Sequence, residues 1–308
     1  MLIILVLCLI FYVPYKFKLK DSFRKKLSDC ETIKNSGLYF LSENILSTHH
    51  VCVIISSNNT ILDCDNHLII GKNLPGSVGI YIKASNVTVK NCIIQKFERG
   101  IWTSIGTCCN KIINNTISFL NTTKEYHAGI GAFGEYLLIE NNTIFNTSLF
   151  CEKTKKGRGI WGFPNHSIIR GNLIYNICGH GISLSSHLPP FSIVNNTIEK
   201  DVIRNIPFLD HTAGIRNAEG VAFSVIKDNF IENVPFAISL DKGDIPGDSP
   251  RWVDVSNNVI KDAYIGIYMD SGGVPLEMNA KIYNNTFINV TKSFFIEPTL
   301  SGITFLSN

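Results

Sequence analysis

Short runs of β-branched apolar residues alternate along the chain with a repeated polar phrase, apolar-x-Asn-Asn-x-Ile. Clear copies run from Ile112 to Ile117 and from Ile139 to Ile144. With Cys92 taken as the first register, the other copies are centred on Asn115, Asn142, Asn172, Asn196, Asn229, Asn258 and Asn285. Successive positions are 23, 27, 30, 24, 33, 29 and 27 residues apart. Such a period indicates stacked structural repeats joined by loops of varying length.

A second phrase, Gly-Ile, keeps step with the first, so each repeat holds at least two short strands. Its glycines are Gly79, Gly100, Gly129, Gly159, Gly181, Gly214 and Gly266, and Ala237 replaces one of them. No window has the periodicity of a useful amphipathic helix. We therefore predict an all-β protein, a right-handed parallel β-helix (solenoid) of about nine to ten coils.

The second Asn of each phrase is predicted to point into the solenoid at a tight corner. There its amide would donate to and accept from the equivalent amide of the coils above and below, which satisfies buried polar groups. Asn also tolerates the left-handed backbone that such corners often need. Cys92 would be a small apolar cap at the start of this file of amides.

Composition excludes some partners and leaves the state of the cysteines open. The formal net charge is only +3, and no Lys/Arg stripe alternates with aromatic residues, so we expect no nucleic-acid partner. Apart from Cys8, eight cysteines remain, which permits either disulfides or buried thiols. No Cys-x-x-Cys pair or zinc-type His spacing occurs, so we predict no structural metal.

The N-terminal residues 1–13 are apolar and are followed by Pro14 and a basic stretch. This run is short for a membrane span and lacks a cleavage site, so we interpret 1–20 as an uncleaved signal anchor or a poorly defined signal segment. The basic flank by itself would place the body of the protein in the cytoplasm. Ten Asn-x-Ser/Thr triplets favour export, although most coincide with the corner phrase. We predict an extracytoplasmic glycoprotein at the cell surface, anchored in the membrane by this segment.

Four segments follow from these patterns. Residues 1–20 are the signal segment, 21–50 a lead-in and N-terminal cap, 51–297 the β-helix and 298–308 a C-terminal tail. The stretch from Cys52 to Cys64, taken with residues 79–82 and 86–91, resembles the opening coils of NosD-like and archaeal surface β-helix proteins, which are related in fold to pectin lyases. The resemblance covers roughly residues 35–297. It implies a pectin-lyase-like fold, which is shared by sugar lyases, epimerases, hydrolases and binding proteins.

Long connections are predicted to form the walls of a groove. The interval from the inward Asn to the next Gly-Ile grows to 15 residues before Ile130, 18 before Ile160 and 19 before Ile215. These three loops would stack at one corner of neighbouring coils. Two further insertions, 239–257 and 268–284, would lie at a different corner. Binding chemistry tends to lie between such loops.

Polar and aromatic residues beside the Gly-Ile phrases form the candidate site. Stacking would bring to one edge of one face Arg99, His127, Arg158, His180 and His211, with Tyr126, Trp161, Arg216 and Glu219 close by. Arginine pairs with a uronate carboxylate, aromatic rings stack on sugars, and histidine exchanges a proton near neutral pH. The pattern predicts binding of a polysaccharide or surface glycan in a lateral groove. Solvated polar residues next to turn glycines would give the same pattern, so that alternative stays open.

Elimination or epimerisation of a uronate is the specific chemistry that this set suggests. A cation offsets the carboxylate, a base removes the α-carbon proton, and an acid protonates the leaving oxygen or the opposite face. We assign carboxylate neutralisation to Arg158, assisted by Arg99 or Arg216, with Trp161 as a substrate contact. The first choice for the base is His180, and the candidate acids are His211, His127 and Tyr126.

Glycoside hydrolysis and copper handling are lesser alternatives. Gly179-His180-Gly181 resembles the Gly-His-Gly motif of polygalacturonase-type glycosidases, but the coils on either side give Arg158 to Trp161 and Ile215 to Asn217. These segments lack the aspartates and the Arg-x-Lys of that family, and hydrolysis requires two carboxyl groups. Copper handling is implied only by the NosD resemblance, and the chain has three methionines.

No cofactor is predicted, with calcium as the alternative. Asp241 and Asp270 share a register after their Gly-Ile or Ala-Ile phrases and would bind calcium together with Asp244. Within Asp-Lys-Gly and Asp-Ser-Gly, however, they are also typical turn residues. The sequence leaves two classes of function open: a polyuronate lyase or epimerase-like enzyme, and a non-catalytic structural or adhesion protein of the cell surface.

Overall fold

A computed structural model describes residues 24–120, 127–147, 151, 157–185, 193–209 and 211–306. Within these ranges the regular structure consists of β-strands in parallel pairs, with no α-helix. A typical coil contributes to three faces, named A, C and B in the order in which the chain visits them. The predicted all-β solenoid is therefore confirmed.

Face A is a sheet of 12 strands. They are Arg24–Leu27, Gly37–Leu41, Thr60–Asp63, Val87–Lys90, Lys111–Ile113, Leu138–Glu140, Ile168–Arg170, Thr197–Glu199, Val225–Lys227, Asp254–Ser256, Leu276–Tyr283 and Leu300–Leu306. Face C comprises Ile45–Leu46, Leu68–Ile70, Ile93–Gln95, Thr116–Ser118, Thr143–Phe145, Leu173–Tyr175, Val202–Arg204 and Thr286–Ile288. Face B comprises Thr32–Ile33, Val51–Ile55, Val78–Ile82, Arg99–Thr103, Ala128–Glu135, Arg158–Asn165, Ile182–Leu184, Ala213–Asn217 and Lys292–Ile296.

Two long strands, Phe230–Leu240 and Val259–Met269, run through face C and continue into face B. They join these two faces into one sheet of 19 strands. A separate two-stranded pair, Ile193–Val194 with Val221–Ala222, lies between faces B and A. The chain therefore passes from face A to C through a tight corner, whereas the connections from C to B and from B to A vary in length.

The core is a set of isoleucine ladders. On face B the Ile of each Gly-Ile phrase points inward and pairs in register with the Ile of the next coil. Its members are fully buried: Ile80, Ile101, Ile130, Ile160, Ile182, Ile215, Ile238 and Ile267. β-Branched side chains pack well on a pleated surface, and each coil covers the apolar face of its neighbour.

Strand pairing extends beyond the predicted limits of the β-helix, 51–297, at both ends. Arg24–Leu27 pairs with Gly37–Leu41, and that strand pairs with Thr60–Asp63. At the other end Leu300–Leu306 pairs with Leu276–Tyr283. Strands within residues 24–50 and 300–306 therefore pair with the neighbouring coils of the β-helix. The predicted signal anchor, 1–20, lies outside the described residues, and none of the described segments is a helix long and apolar enough to cross a membrane.

The predicted file of inward amides exists. Asn115 Nδ2 donates to Asn142 Oδ1 at 3.0 Å, and Asn142 repeats the bond to Asn172 at 3.0 Å. Each amide also donates to a main-chain carbonyl of the preceding coil, as Asn142 does to Ile112 O. The file continues from Asn229 through Asn258 to Asn285. These amides of the file therefore find partners one coil away.

One member of the predicted file is wrong: the position after Asn172 belongs to Asp201, not to Asn196. Asp201 Oδ1 accepts from the main-chain N and the Nδ2 of Asn172. Asn196 lies one corner earlier, where its Oδ1 accepts from Ser167 N. With Asp201 in place the separations become 29, 28 and 29 residues. The irregular predicted steps of 24 and 33 residues came from this false match.

The residue before each inward side chain has left-handed backbone, as the corner chemistry predicts. The φ angles lie between 54° and 58° at Asn91, Asn114, Asn141, Lys200, Asp228, Asn257 and Asn284. Lys200 is unusual at such a position, which favours Asn and Gly. The face A strand before this corner keeps its register with both neighbouring coils.

Three disulfides connect neighbouring coils, which resolves the alternatives for the cysteines. The pairs are Cys30–Cys52, Cys64–Cys92 and Cys151–Cys178, with sequence separations of 22, 28 and 27 residues. Cys92 is therefore bonded to the coil below and is not a free apolar cap. Cys108 and Cys109 keep free thiols.

Candidate functional site: the outer surface of face B

The outward side chains of face B form one ladder along the rod. The residue after each inward Ile pairs with its counterpart on the next coil. In order, the ladder consists of Tyr81, Trp102, Gly131, Trp161, Ser183, Arg216, Ser239, Tyr268 and Phe295. Aromatic residues thus begin and end the ladder, and a polar section separates them.

An aromatic cluster occupies the first part of this ladder. The ring centroids of Trp102 and Trp161 are 5.9 Å apart, and Phe133 lies 4.9 Å from the first ring and 5.3 Å from the second. Gly131 makes the cluster possible, because a Cβ there would lie 2.2 Å from the Trp102 ring. Both Trp side chains remain partly exposed. This surface has the flat apolar character on which sugar rings stack.

Two arginines flank the tryptophans. The guanidinium carbon of Arg99 lies 4.7 Å from the Trp102 ring centroid, and that of Arg158 lies 5.4 Å from the Trp161 centroid. A guanidinium held over a ring keeps its N–H edge for hydrogen bonding. Burial lowers the pKa of Arg99, although neighbouring Glu98 opposes the shift.

Glu98 and His127 are buried, and partly exposed Arg99 completes a chain of charged and polar groups with them. Arg99 Nη2 lies 2.8 Å from His127 Nε2, and His127 Nδ1 lies 3.0 Å from Glu98 Oε1. Because a guanidinium only donates, Nε2 accepts and the ring proton of neutral His127 resides on Nδ1, facing the carboxylate. Glu98 Oε2 also accepts from Gly76 N. The carboxylate thereby lies against the Nδ1 edge of the imidazole.

Arg158 and His180 continue this edge on the next two coils. Arg158 N donates to the carbonyl of His127 at 3.0 Å, and Gly159 N donates to that of His180 at 3.0 Å. Both side chains are buried. Nδ1 of His180 accepts from Ala213 N at 3.1 Å, so in the neutral ring Nε2 carries the proton. In this tautomer His180 is a donor, whereas the sequence assigned it as the base.

Arg216 is already engaged by a protein carboxylate. Its Nε lies 2.9 Å from Oδ2 of Asp241, and its Nη2 lies 2.6 Å from Oδ1. Ser239 Oγ and Gly243 N also donate to Asp241. Burial raises the pKa of Asp241, but Arg216 and these donors outweigh burial and leave the pKa lowered. The pair stays ionised, which differs from the predicted role of Arg216 on a substrate carboxylate.

A second group of carboxylates follows Asp241 along the same edge. Asp270 N donates to Leu240 O, and Glu297 N donates to Met269 O, which continues the register. Glu297 accepts hydrogen bonds from Ser271 N, Ser271 Oγ and Gly273 N. Burial raises the pKa of Glu297, but these hydrogen bonds outweigh burial and lower the pKa to about 2. Burial and the neighbouring Glu297 raise the pKa of Asp270. Burial and Asp270 also raise the pKa of Tyr268.

The remaining predicted residues lie apart from the Trp cluster or outside the described chain. The ring of His211 lies 6.0 Å from Phe236 and 6.4 Å from Tyr268, on the C-terminal part of the face. The Glu219 carboxylate packs against Gly243, where an added Cβ would be 1.3 Å from Oε2. Tyr126 falls outside the described residues. Asp244 contributes to the charge around Arg216.

No group of three or more His, Cys, Asp or Glu side chains in the described ranges has the arrangement of a metal site. Calcium binding by Asp241, Asp244 and Asp270 stays a prediction. The residues that sequence reasoning missed are Glu98, Trp102 and Phe133. A signal existed for two of them, because Glu98 directly precedes Arg99 and Trp102 follows its Gly-Ile as Trp161 follows the later one.

Two predicted walls of the groove lie between faces C and B, around residues 119–127 and 146–157. Parts of both, 121–126, 148–150 and 152–156, lie outside the described residues. The third predicted wall is shorter than expected, since the count to Ile215 starts from Asp201 and not from Asn196.

Comparison with known proteins identifies the family. The chain matches the model for the right-handed β-helix region over residues 19–204 and 155–308. It belongs to the right-handed β-helix family. No curated protein matches it in sequence. The NosD resemblance, which is finer than this family, stays a prediction.

Solved structures share the fold at low identity. A catalytic domain of GH87 α-1,3-glucanase in complex with nigerose has a TM-score of 0.60 and 13% identity, covering 92% of this chain and 62% of that one. The A-module of Azotobacter vinelandii mannuronan C-5 epimerase AlgE6 has a TM-score of 0.59 and 13% identity, covering 92% and 88%. PfbA, a surface adhesin of Streptococcus pneumoniae, has a TM-score of 0.59 and 11% identity, covering 84% of each chain. At this identity the likeness shows the fold alone, and the chain spans under two thirds of the glucanase domain.

Proposed function

We propose that this protein is exported and binds an anionic glycan along the outer surface of face B. The observation that carries the proposal is the pair of partly exposed rings, Trp102 and Trp161, 5.9 Å apart, each with a guanidinium over it. Aromatic faces pack against the C–H side of a pyranose, and the guanidinium edges of Arg99 and Arg158 would donate hydrogen bonds to its carboxylate. A uronate presents both groups on one ring.

The burial of charge supports a ligand role over a stabilising one. Glu98, His127 and Arg158 lie almost entirely out of solvent. Taking charged groups out of water costs several kcal/mol per ion, on the order of what good partners return. Such clusters beside a surface of exposed aromatic rings are typical of binding or catalytic sites.

Export is supported by the three disulfides between adjacent coils. Structural disulfides persist in oxidising compartments and are rare in reducing ones. The glycan class gains support from the known structures of the same fold, which include a glucanase, a mannuronan epimerase and a surface adhesin. The fold therefore occurs both in proteins named as enzymes and in one named as an adhesin.

Binding is tested with polygalacturonate, alginate and hyaluronate in affinity electrophoresis and calorimetry. Arg99→Gln removes a face B guanidinium and is expected to weaken binding by roughly ten-fold, which is the loss of one charge-assisted contact of about 1.4 kcal/mol. The matched control is Arg170→Gln on face A, where the side chain pairs with Glu140. Equal affinities for both variants, or no binding of any of the three polymers, would overturn the proposal.

A second candidate function is lyase or epimerase chemistry at this site, favoured by the Glu98–His127 contact. Arg99 now occupies Nε2 of His127. If a uronate carboxylate draws Arg99 away, Nε2 becomes a base oriented by Glu98. The α-carbon proton would pass to Nε2, the C–H electrons would form the new double bond, and the C–O bond would break. The leaving oxygen would take a proton from a donor such as His180 Nε2–H.

Turnover separates this enzyme from a non-catalytic adhesion or structural protein. Absorbance of the unsaturated product reports elimination, and NMR reports epimerisation. The enzyme should lose turnover in Glu98→Gln while retaining binding, because the glutamine keeps the shape but not the charge facing His127. Binding without turnover in the wild type would leave only the non-catalytic function.

A further inference from the structure

A second aromatic surface lies at the corner where each coil passes from face B to face A. One residue per coil there has left-handed backbone, and its N–H bonds to the next coil. We call this set the B–A corner file. Its members are Asn59, Asn86, Cys109, Tyr136, His166, Asn195, Phe223, Trp252 and Asn279.

Bulky aromatic residues are out of place in this backbone conformation. The φ angles are 52° at Tyr136 and 53° at both Phe223 and Trp252, where side chains other than Asn, Asp or Gly are strained. Asn195 and Asn279 show that asparagine serves the same corner. Backbone strain that a cheaper residue would avoid supports a functional role for the side chain.

The side chains of Phe223 and Trp252 are also partly exposed to solvent. Phe223 is 48% exposed and Trp252 is 39% exposed, although apolar side chains gain by burial. Their rings stack at 4.7 Å between centroids with an interplanar angle of 5°. The two stacked rings therefore form a flat apolar surface at this corner.

A surface cavity of about 330 Å³ adjoins this stack. One wall is formed by Phe223, Trp252 and Asn279. The other wall is formed by Val225, Asp254 and Lys281, which are paired in register on three neighbouring strands of face A. Ser224 completes the lining, and its buried Oγ has no hydrogen-bond partner within the described part of the chain. A volume of this order suits one small ligand or one sugar unit of a polymer.

We propose that this cavity binds a neutral pyranose unit of a glycan, with Trp252 as the stacking platform. Asp254, Asn279, Lys281 and Ser224 supply both acceptors and donors, which the ring hydroxyls of a sugar require. The opposite charges of Asp254 and Lys281 cancel, so the site lacks the cationic character of the Arg99 and Arg158 edge. The site is separate from face B and does not depend on the function proposed there.

The test uses soluble neutral polysaccharides, namely laminarin, xylan, galactomannan and amylose, in affinity electrophoresis with the full chain. Trp252→Asn is the decisive variant, because Asn already occupies this corner at positions 195 and 279 and preserves the backbone. We expect it to weaken binding about ten-fold or more, as removal of a central aromatic anchor does. Trp252→Tyr should retain most of the affinity.

The matched control is Tyr136→Asn, a change of an exposed aromatic residue in the same file that does not line the cavity. It should leave binding of the neutral polymer unchanged, as should Arg99→Gln on face B. Loss of affinity equal in Tyr136→Asn and Trp252→Asn would overturn the proposal, as would no binding of the four polymers. Concentration-dependent dimerisation that Trp252→Asn abolishes, without glycan binding, would instead assign the surface to a second copy of the chain.

Discussion

Faces A and B are both parallel β-ladders, but they differ in how far their charged side chains are exposed to solvent. On face A the outward charges alternate in sign and stay partly exposed, as in Glu140–Arg170 at 2.6 Å and Glu199–Lys227 at 3.0 Å. On face B the Arg216–Asp241 pair is largely buried. Exposed pairs contribute about 0–1 kcal/mol, whereas removing one partner of a buried pair costs about 3–5 kcal/mol. Face A therefore keeps its charged pairs partly in solvent, whereas face B holds the Arg216–Asp241 pair largely out of it.

The largest expected effect comes from breaking the buried pair. Asp241→Ala leaves Arg216 without the carboxylate that it contacts through two nitrogens. The free energy of unfolding should fall by about 3–5 kcal/mol in urea denaturation. The matched change on face A, Glu199→Ala, should cost under about 1 kcal/mol. Equal losses for the two variants would contradict the contrast between the faces.

A second, smaller effect concerns the one carboxyl in the amide file. Burial raises the pKa of Asp201 to about 7, against hydrogen bonds from Asn172, and neighbouring Glu199 adds to the shift. Between about pH 4 and 7 the folded protein holds a proton that the unfolded chain has released, so stability falls as pH rises through that window. Asp201→Asn removes this loss and restores an amide donor.

At pH 8 the Asp201→Asn variant should be more stable than the wild type by about 2–4 kcal/mol, from roughly three pKa units at 1.36 kcal/mol each. At pH 4 the two proteins should be nearly equal. Urea denaturation at the two pH values measures both numbers. A gain that is the same at pH 4 and pH 8 would show that Asp201 is not the titrating group.

The smallest effect should come from the exposed ladder of face A. Glu140→Gln removes one charge of the Glu140–Arg170 pair, whose side chains are 22% and 40% exposed. We expect a change in unfolding free energy of about 0.5 kcal/mol that disappears at 1 M salt, where charges are screened within about 3 Å. A cost of several kcal/mol that resists salt would place this pair in the same class as Arg216–Asp241.

The fold was predictable from the sequence because its signals are local and repeated. Each Asn of the file and each Gly-Ile phrase occurs where the corner and the buried ladder require it. The prediction failed at the position where a different residue type makes the same hydrogen bonds as Asn. Asp201 occupies a position of the amide file that is otherwise taken by Asn. The same sequence phrase also occurs at the preceding corner, as Asn195-Asn196-Thr197-Ile198, where it does not belong to the file. The sequence separations could have corrected this error, because placing Asp201 in the file gives steps of 29 and 28 residues and restores an even period.

The site was predictable only in part, because side-chain direction and partner choice are three-dimensional. Arg99 and His127 were expected to meet, and they do. The partners Glu98 and Asp241 were not foreseen, since nothing in the sequence shows which carboxylate turns inward. The disulfides were left open, although the separations of 22, 28 and 27 residues equal one coil and would have paired the cysteines.

Hydroxyl-radical footprinting of the three tryptophans tests the central claim most directly. The chain has only Trp102, Trp161 and Trp252, which report on face B and on the B–A corner separately. With a bound oligouronate, oxidation of Trp102 and Trp161 should slow while that of Trp252 stays unchanged. Unchanged oxidation of Trp102 and Trp161 under saturating ligand would contradict binding on face B.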